Sequence, residues 1–524
     1  MWPLIDQLAQ QGVTDFFLAS GSRSSPLAIA AARSLLIRLH RHFDERALGF
    51  YALGCAMATG KPSAVIVTSG TAVGNLLPAV MEAHHASVPL ILLTADRPPE
   101  LLDSGANQTT DQIKIFSNFV RWQFALDESM SESSVRSKAA HGVYRSLSPH
   151  PGPIQFNCPL REPLYPPKQT SPGHPIHIEQ GRIIANGNMT LPSKGLILIG
   201  KLPKPSDLAP ILHLAKRMQW PVMADLLSSA RVHPTEEQVR HSDWLYLNPA
   251  MPLPECVLHF GERLTSKRLV EWLVKIPSLE YIHISPYPTW FDFVHLLKRR
   301  IVSEIPEACA LFQAPPDTHW LPRWKLLDAL IQKQLESNIV EGTETALMQA
   351  LSKLPLKDTA IYLGNGMPIR EADWFLFPRE CRGFYANRGV SGIDGNIATV
   401  VGLAEGLQSP VLAFLGDLTT LHDLNSLALV KQSKYPIALI VSNNGGGGMF
   451  SHLTIAKDPQ FEELFAFQHN HTFEHAAKLF GLPYVTDLSI PNESCLIELT
   501  TCRKQNYSQH QKLKELCTSF SMDS

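Results

Sequence analysis

Asp417 and Asn444 are the residues whose types and spacing most directly specify chemistry. A carboxylate and an amide oxygen, with a backbone carbonyl nearby, make a hard oxygen set suited to Mg²⁺, an ion that keeps other positions for water and phosphate oxygens. Residues 411–415 are a short apolar run ending at Gly416, residues 423–430 have helical spacing, and residues 437–441 are a second apolar run. Parallel strands joined by a crossover helix lie side by side, so Asp417 and Asn444 are expected at neighbouring carboxyl ends. Open α/β sheets bind ligands at that edge. The helix opening after Asp417 offers N–H groups to a diphosphate, and the glycines of 445–448 let backbone approach a ligand closely.

With 25 residues between Gly416-Asp417 and Asn443-Asn444, this stretch resembles the binding motif of thiamine diphosphate (ThDP) enzymes. The resemblance implies Mg²⁺ (or Mn²⁺) held by the Asp417 and Asn444 side chains and the Gly446 carbonyl, with Gly416 and Leu418 against the cofactor. Leu418 stands where many such enzymes have a second glycine. It also implies a carboxyl group hydrogen-bonded to the aminopyrimidine N1′, which favours the imino tautomer that removes the thiazolium C2 proton. Glu45, in His42-Phe-Asp-Glu-Arg46 ahead of a helix over 47–58, is the candidate. Read alone, it is a glutamate favoured by a helix dipole.

The elements that must position these groups are parallel α/β units. Residues 1–160 alternate strand-like runs (16–19, 63–67, 89–94) with helical stretches (26–36, 72–86). A proline-rich linker over 159–175 follows, then a middle α/β segment over 176–310 with strands at 195–200, 257–261 and 281–284. That segment holds no G-x-G-x-x-G fingerprint, so a dinucleotide is not supported there. A second proline-rich break at 306–322 precedes a third unit, 323–524, which carries the metal motif. The expected architecture is three parallel-sheet α/β domains, in ThDP-enzyme terms pyrimidine-binding, middle and diphosphate-binding.

Composition excludes several classes. With 524 residues, 44% hydrophobic and 18% charged, the chain reads as an ordinary globular protein. A net charge of −2 gives no global field for nucleic acid or anionic membrane, so anionic ligands need local cation clusters. Eight scattered cysteines without CxxC spacing, and no signal peptide, point to reduced thiols in a cytoplasmic protein. No apolar run is long enough for membrane insertion.

Longer wording narrows the family. Gly21-Ser-Arg-Ser-Ser-Pro26, His42-Phe-Asp-Glu-Arg-Ala-Leu-Gly-Phe50, Val67-Thr-Ser-Gly-Thr-Ala72, Thr94-Ala-Asp-Arg-Pro-Pro-Glu100, Gly105-Ala-Asn-Gln108, Thr265-Ser-Lys-Arg-Leu269 and Asn387-Arg-Gly-Val-Ser-Gly-Ile-Asp-Gly395 closely resemble the MenD family. These are 2-succinyl-5-enolpyruvyl-6-hydroxy-3-cyclohexene-1-carboxylate (SEPHCHC) synthases of menaquinone biosynthesis. The resemblance implies a transferase that decarboxylates 2-oxoglutarate on ThDP, releases CO₂ and adds the succinyl carbanion equivalent 1,4 to isochorismate. It assigns Arg388 and Arg370 to 2-oxoglutarate, and Arg23, Arg97, Lys267 and Arg268 to isochorismate, with Ser22, Asn107 and Gln108 as polar neighbours. Arginine's planar fork suits such dicarboxylates. Ile393, Met449, Phe450 and Leu453 are implied as an apolar wall, Ile393 holding the cofactor bent. A homodimer or homotetramer with active sites at the subunit interface is also implied.

Four positions depart from the family pattern: Ala19-Ser20 lacks a proline, Gly366 replaces a serine, Gly445 an asparagine and Met449 an isoleucine. Two competing readings remain: another ThDP carboligase acting on pyruvate, or a ThDP-binding protein without catalysis.

Overall fold

Short apolar runs with no polar alternation become strands buried on both faces, as residues 63–67 and 90–96 do. The computed structural model describes residues 1–165, 168–179, 181–292, 295–377 and 380–519; Pro166 and Pro167 of the expected linker lie outside the described residues. Two compact units form: Met1–Glu179 with Asn387–Val441 and Thr472–Leu499, and Gln180–Ala386 with Ser442–His471 and Thr500–Ser524.

In the first unit, β1 (Asp15–Leu18), β2 (Arg38–Arg41), β3 (Ser63–Val67), β4 (Leu90–Asp96), β5 (Trp122–Ala125) and β6 (Ile154–Pro159) form one parallel sheet ordered β2-β1-β3-β4-β6-β5. Leu4, Ile5, Leu8, Phe16, Ile66, Ile91, Leu93 and Phe156 fill its core. In the second unit, β7 (Met189–Thr190) is followed by β8 (Gly195–Ile199), β9 (Val222–Ala224), β10 (Cys256–Phe260), β11 (Glu280–Ser285) and β12 (Leu297–Val302). The last five make a parallel sheet ordered β12-β11-β10-β8-β9. The pair of β7 and β13 (Phe312–Gln313) is separate, and β14 (Ala360–Leu363) pairs in parallel with β15 (Gly383–Tyr385). Four more strands, lying almost wholly in the first unit, are β16 (Val411–Gly416), β17 (Ile437–Asn443), β18 (Tyr484–Val485) and β19 (Cys495–Thr500), adjacent as β16-β17-β19-β18.

Three expectations are corrected. The helix expected over 72–86 is two, Thr71–Gly74 and Leu77–His85, because Pro78 has no N–H to continue the first. The helix expected over 423–430 is Asp417–His422, a 3₁₀ turn and Leu427–Gln432. Asp423 interrupts it by accepting from Ser426 Oγ at 2.8 Å and from Ala398 N at 3.0 Å. The proline-rich break at 306–322 is largely helical, since Pro306 and Pro322 fall in the first turns of Ile305–Leu311 and Trp320–Glu336, where a missing N–H costs nothing.

Candidate active site

In the first unit, β1 leads into the Gly21–Pro26 loop, whose approach to Thr68 leaves no room for a Cβ on Gly21, which would lie 2.4 Å from Thr68 Cβ. Arg23, 8% exposed, donates to Leu160 O and to Glu162 Oε1, both at 2.8 Å. Arg97, just after β4 and 9% exposed, donates to Ser69 Oγ, which in turn donates to Gln108 O at 3.0 Å. Gln108, at φ +60°, returns a hydrogen bond from Nε2 to Ser69 O at 2.8 Å.

A buried polar frame stands behind Arg97. Gln112 donates to Ala95 O and Asn157 Oδ1, both at 3.1 Å, and accepts from Gly70 N at 2.9 Å. Asn157 donates to Asp96 Oδ2 at 2.8 Å, and Asp96 Oδ1 accepts from Arg97 N at 2.7 Å. Burial pushes the Asp96 pKa up, against the Asn157 hydrogen bond. Burial first, then the Arg23 charge, holds Arg97 below the ordinary arginine value. Two buried guanidiniums within electrostatic range of one another favour an anion beside them. Ser22 and Asn107 lie exposed on the same loops.

Glu45 is half-buried at the first position of the Glu45–Thr59 helix. Asp44 caps that helix, its Oδ1 accepting from Arg46 N at 2.9 Å and Ala47 N at 3.2 Å. The helix packs backbone to backbone on Asn396–Leu407: a Cβ on Gly54 would lie 2.1 Å from Thr399 O, and one on Gly402 2.1 Å from Tyr51 O. Contacts advance together along both helices, from Phe50 with Gly395 to Ala58 with Gly406. Their N-terminal ends therefore share one side of the unit, which brings Glu45 and the Asn387–Gly395 loop to the same end.

That loop carries Arg388, half-buried, and Ile393, 39% exposed. Glu82, 1% exposed, anchors it by accepting from Gly389 N at 2.6 Å and Val390 N at 2.8 Å. Asn387 Nδ2 adds a bond to Thr399 Oγ1 at 3.0 Å. Asp417 follows β16 and Gly416 directly, opens the Asp417–His422 helix, is 3% exposed and accepts from Leu418 N at 2.7 Å. Asn444 follows β17, the neighbour of β16, as the strand-helix-strand reading expects.

In the second unit, Asn444 Nδ2 donates to Glu344 Oε1 at 2.9 Å, which points the amide oxygen the other way. Glu344 is 3% exposed; burial, then the nearby Glu371 charge, pushes its pKa to about 7. The glycine loop turns at Gly445 (φ +76°) and Gly446 (φ +142°), so tightly that a Cβ on Gly446 would lie 2.4 Å from Ala466 O. Within this unit, an outward amide oxygen at Asn444 and a loop stripped of side chains are features that fit a small divalent cation and a diphosphate, and the carboxylate of Asp417 is a donor of the same hard-oxygen type.

Met449 and Phe450 continue the loop in a 3₁₀ turn, Gly448–His452, and Leu453, 46% exposed, follows. Arg370 donates to Gly366 O and reaches Met449 Sδ at 3.3 Å. Gly366 has φ +98°, so the serine usual there would be strained, and its carbonyl instead orients Arg370. Arg268 lies 4.5 Å from the centroids of both Trp244 and Trp374 and pairs with Asp243 at 3.3 Å. Lys267 is exposed and pairs with Glu271 at 3.4 Å. His452 feels the charge of both Arg268 and Arg370: burial first, then His510, Arg268 and Arg370, lower its pKa to about 4.

Comparison with known proteins completes the picture. Residues 3–115 match the family model "Thiamine pyrophosphate enzyme, N-terminal TPP binding domain", residues 184–363 "Middle domain of thiamine pyrophosphate", and residues 371–498 "Thiamine pyrophosphate enzyme, C-terminal TPP binding domain". The chain is similar to the 2-succinyl-5-enolpyruvyl-6-hydroxy-3-cyclohexene-1-carboxylate synthase of Salinibacter ruber, 34% identical over 98% of this chain and 95% of that protein. It is also similar to those of Aeromonas salmonicida (37%; 92% and 88%) and Bacillus velezensis (35%; 92% and 88%). The chain belongs to this SEPHCHC synthase family. Thiamine diphosphate is accordingly its cofactor.

Ser69, Gln112, Asn157, Glu82, Glu344 and His452 are not among the residues the sequence motifs single out. Ser69 lies inside a quoted motif and was within reach. The others lie far along the chain from the residues they hold and carry no local signal.

Proposed function

We infer that the chain catalyses SEPHCHC synthesis: 2-oxoglutarate loses CO₂, and its remaining four-carbon unit is joined to the ring of isochorismate. The observation that carries this reading is a pair of arginines in each unit, Arg23 with Arg97, both buried, and Arg268 with Arg370, both half-buried near His452, in a chain of net charge −2. Both substrates are dianions, and pyruvate chemistry would need fewer such clamps. Thiamine diphosphate, when bound, supplies the electron sink for decarboxylation. Glu45 would hydrogen-bond N1′ of the bound cofactor and so favour the imino tautomer. Asp417, Asn444 and the Gly446 carbonyl hold Mg²⁺ or Mn²⁺, with Gly416 and Leu418 beside the diphosphate.

Arg370 and Arg388 receive the 2-oxoglutarate carboxylates, and Arg23 and Arg97 those of isochorismate, with Ser22, Asn107 and Gln108 orienting its polar edge. In this reading Arg268 works from the corner formed by the Trp244 and Trp374 rings, and Lys267 joins by leaving Glu271. Ile393, Met449, Phe450 and Leu453 keep water from the reacting carbons. Residues 1–160 act as the pyrimidine-binding domain, 176–310 as the middle domain and 323–524 as the diphosphate-binding domain. The active enzyme is a cytoplasmic homodimer or homotetramer with sites shared between subunits.

The test supplies purified protein with ThDP and Mg²⁺, then omits each substrate in turn while isochorismate absorbance and product mass are followed. Consumption that requires 2-oxoglutarate is expected. Equal activity with pyruvate in its place would favour the acetolactate-type reading, and ThDP binding without turnover the non-catalytic one.

A further inference from the structure

The Asn444 amide is held by a second carboxylate, distant in sequence. Glu344 opens the Glu344–Ser352 helix, and its backbone N is fixed by Asn506 Oδ1 at 3.0 Å. Its Oε1 accepts from Ser442 Oγ at 2.8 Å, Asn444 Nδ2 at 2.9 Å and Thr501 Oγ1 at 3.5 Å. An oxygen that collects only donors admits one orientation of the amide: nitrogen toward Glu344, oxygen away from it. Oε1 stays an acceptor whether or not Oε2 carries a proton.

We propose that Glu344 is the positioning residue of the metal site, presenting the Asn444 amide oxygen to the cation by occupying its nitrogen. This rests on the reading of Asn444 as a metal ligand. A side chain so fixed does not have to reorient when the ion arrives, and an amide turned over would offer N–H to a cation. Partners of this outer kind typically change metal affinity by about 10–100-fold.

Calorimetric ThDP binding across a Mg²⁺ series reads this without turnover. In Glu344→Leu, which cannot accept, the Mg²⁺ concentration giving half-maximal ThDP binding is expected to rise about 10–100-fold. In Glu344→Gln, whose amide oxygen can replace Oε1, it should stay within about threefold of wild type. A donor-acceptor exchange gives a second arm that keeps both volumes. Asn444→Asp sets two carboxylates against each other and should weaken Mg²⁺-dependent binding, despite the added anionic ligand; Asn444→Asp combined with Glu344→Gln, which restores a donor between them, should recover it. A folded Glu344→Leu with the wild-type Mg²⁺ requirement would overturn the proposal, as would failure of the double variant to recover where Asn444→Asp is impaired. Asn444→Ala separates the two ideas: wild-type Mg²⁺ dependence there would dismiss the metal-ligand reading itself.

Discussion

Glu45 owes its aim to Asp44, whose carboxylate takes the first free N–H groups of the helix and leaves the next side chain at its mouth. Glu45→Gln is expected to fold normally, bind ThDP and slow exchange of the thiazolium C2 proton by about 10²–10⁴-fold, as loss of acid-base assistance does. Near wild-type exchange by NMR would refute the assignment. Arg97 was legible as a motif residue, but its frame was not: Gln112 and Asn157 are held together only by the folded sheet. Truncating Arg97 leaves Ser69 and the frame behind it without the guanidinium. Arg97→Ala should raise KM for isochorismate about 100-fold with little change for 2-oxoglutarate, and Arg97→Lys should not rescue it, because one ammonium cannot reproduce the fork. Asp15 gives a pH signature outside the site. Burial alone would raise its carboxyl, but hydrogen bonds from His40 and Arg38 outweigh it and hold the pKa to about 2. A lowered folded pKa means stability present above about pH 4 and lost as pH falls through 2. Melting temperature should therefore fall less steeply between pH 4 and 2 in Asp15→Asn, and after allowance for solvent screening the contribution is about 1–2 kcal/mol.

At the scale of elements, the strand-helix-strand unit around Asp417 was readable because apolar runs and turn glycines mark its strands in one short stretch of chain. Its helix was misplaced because the side chain of Asp423 competes for hydrogen bonds, a contest periodicity does not register. Equally invisible was the crossing of Glu45–Thr59 on Asn396–Leu407, which depends on Gly54, Gly402 and Gly406 allowing backbones to touch. Gly402→Ala places a methyl against Tyr51 O, where only backbone can yield. It should destabilise the protein by roughly 1–3 kcal/mol, lowering its melting temperature, and slow C2 exchange as Glu45 shifts. An unchanged melt together with unchanged exchange would show the crossing to be unimportant.

At the scale of the whole molecule, neutrality is a clue. The chain has almost no net charge, yet Arg23 and Arg97 are buried together and Arg268 and Arg370 are half-buried, and among the described residues no helix is long and apolar enough to cross a membrane. Composition points to that need for local cations, and motif wording proposes which ones. Glu344 escaped because it lies 100 residues before Asn444 and pairs with it only in the folded unit. The central claim is that decarboxylation and carbon-carbon bond formation are one coupled reaction of this chain. Its most direct measurement supplies 2-oxoglutarate labelled separately at C1 and in the remaining four carbons, and counts released CO₂ against isochorismate consumed. The account predicts equal amounts, with the C1 label in CO₂ and the four-carbon label in the product. CO₂ released without loss of isochorismate, or isochorismate lost without incorporation of label, would contradict it.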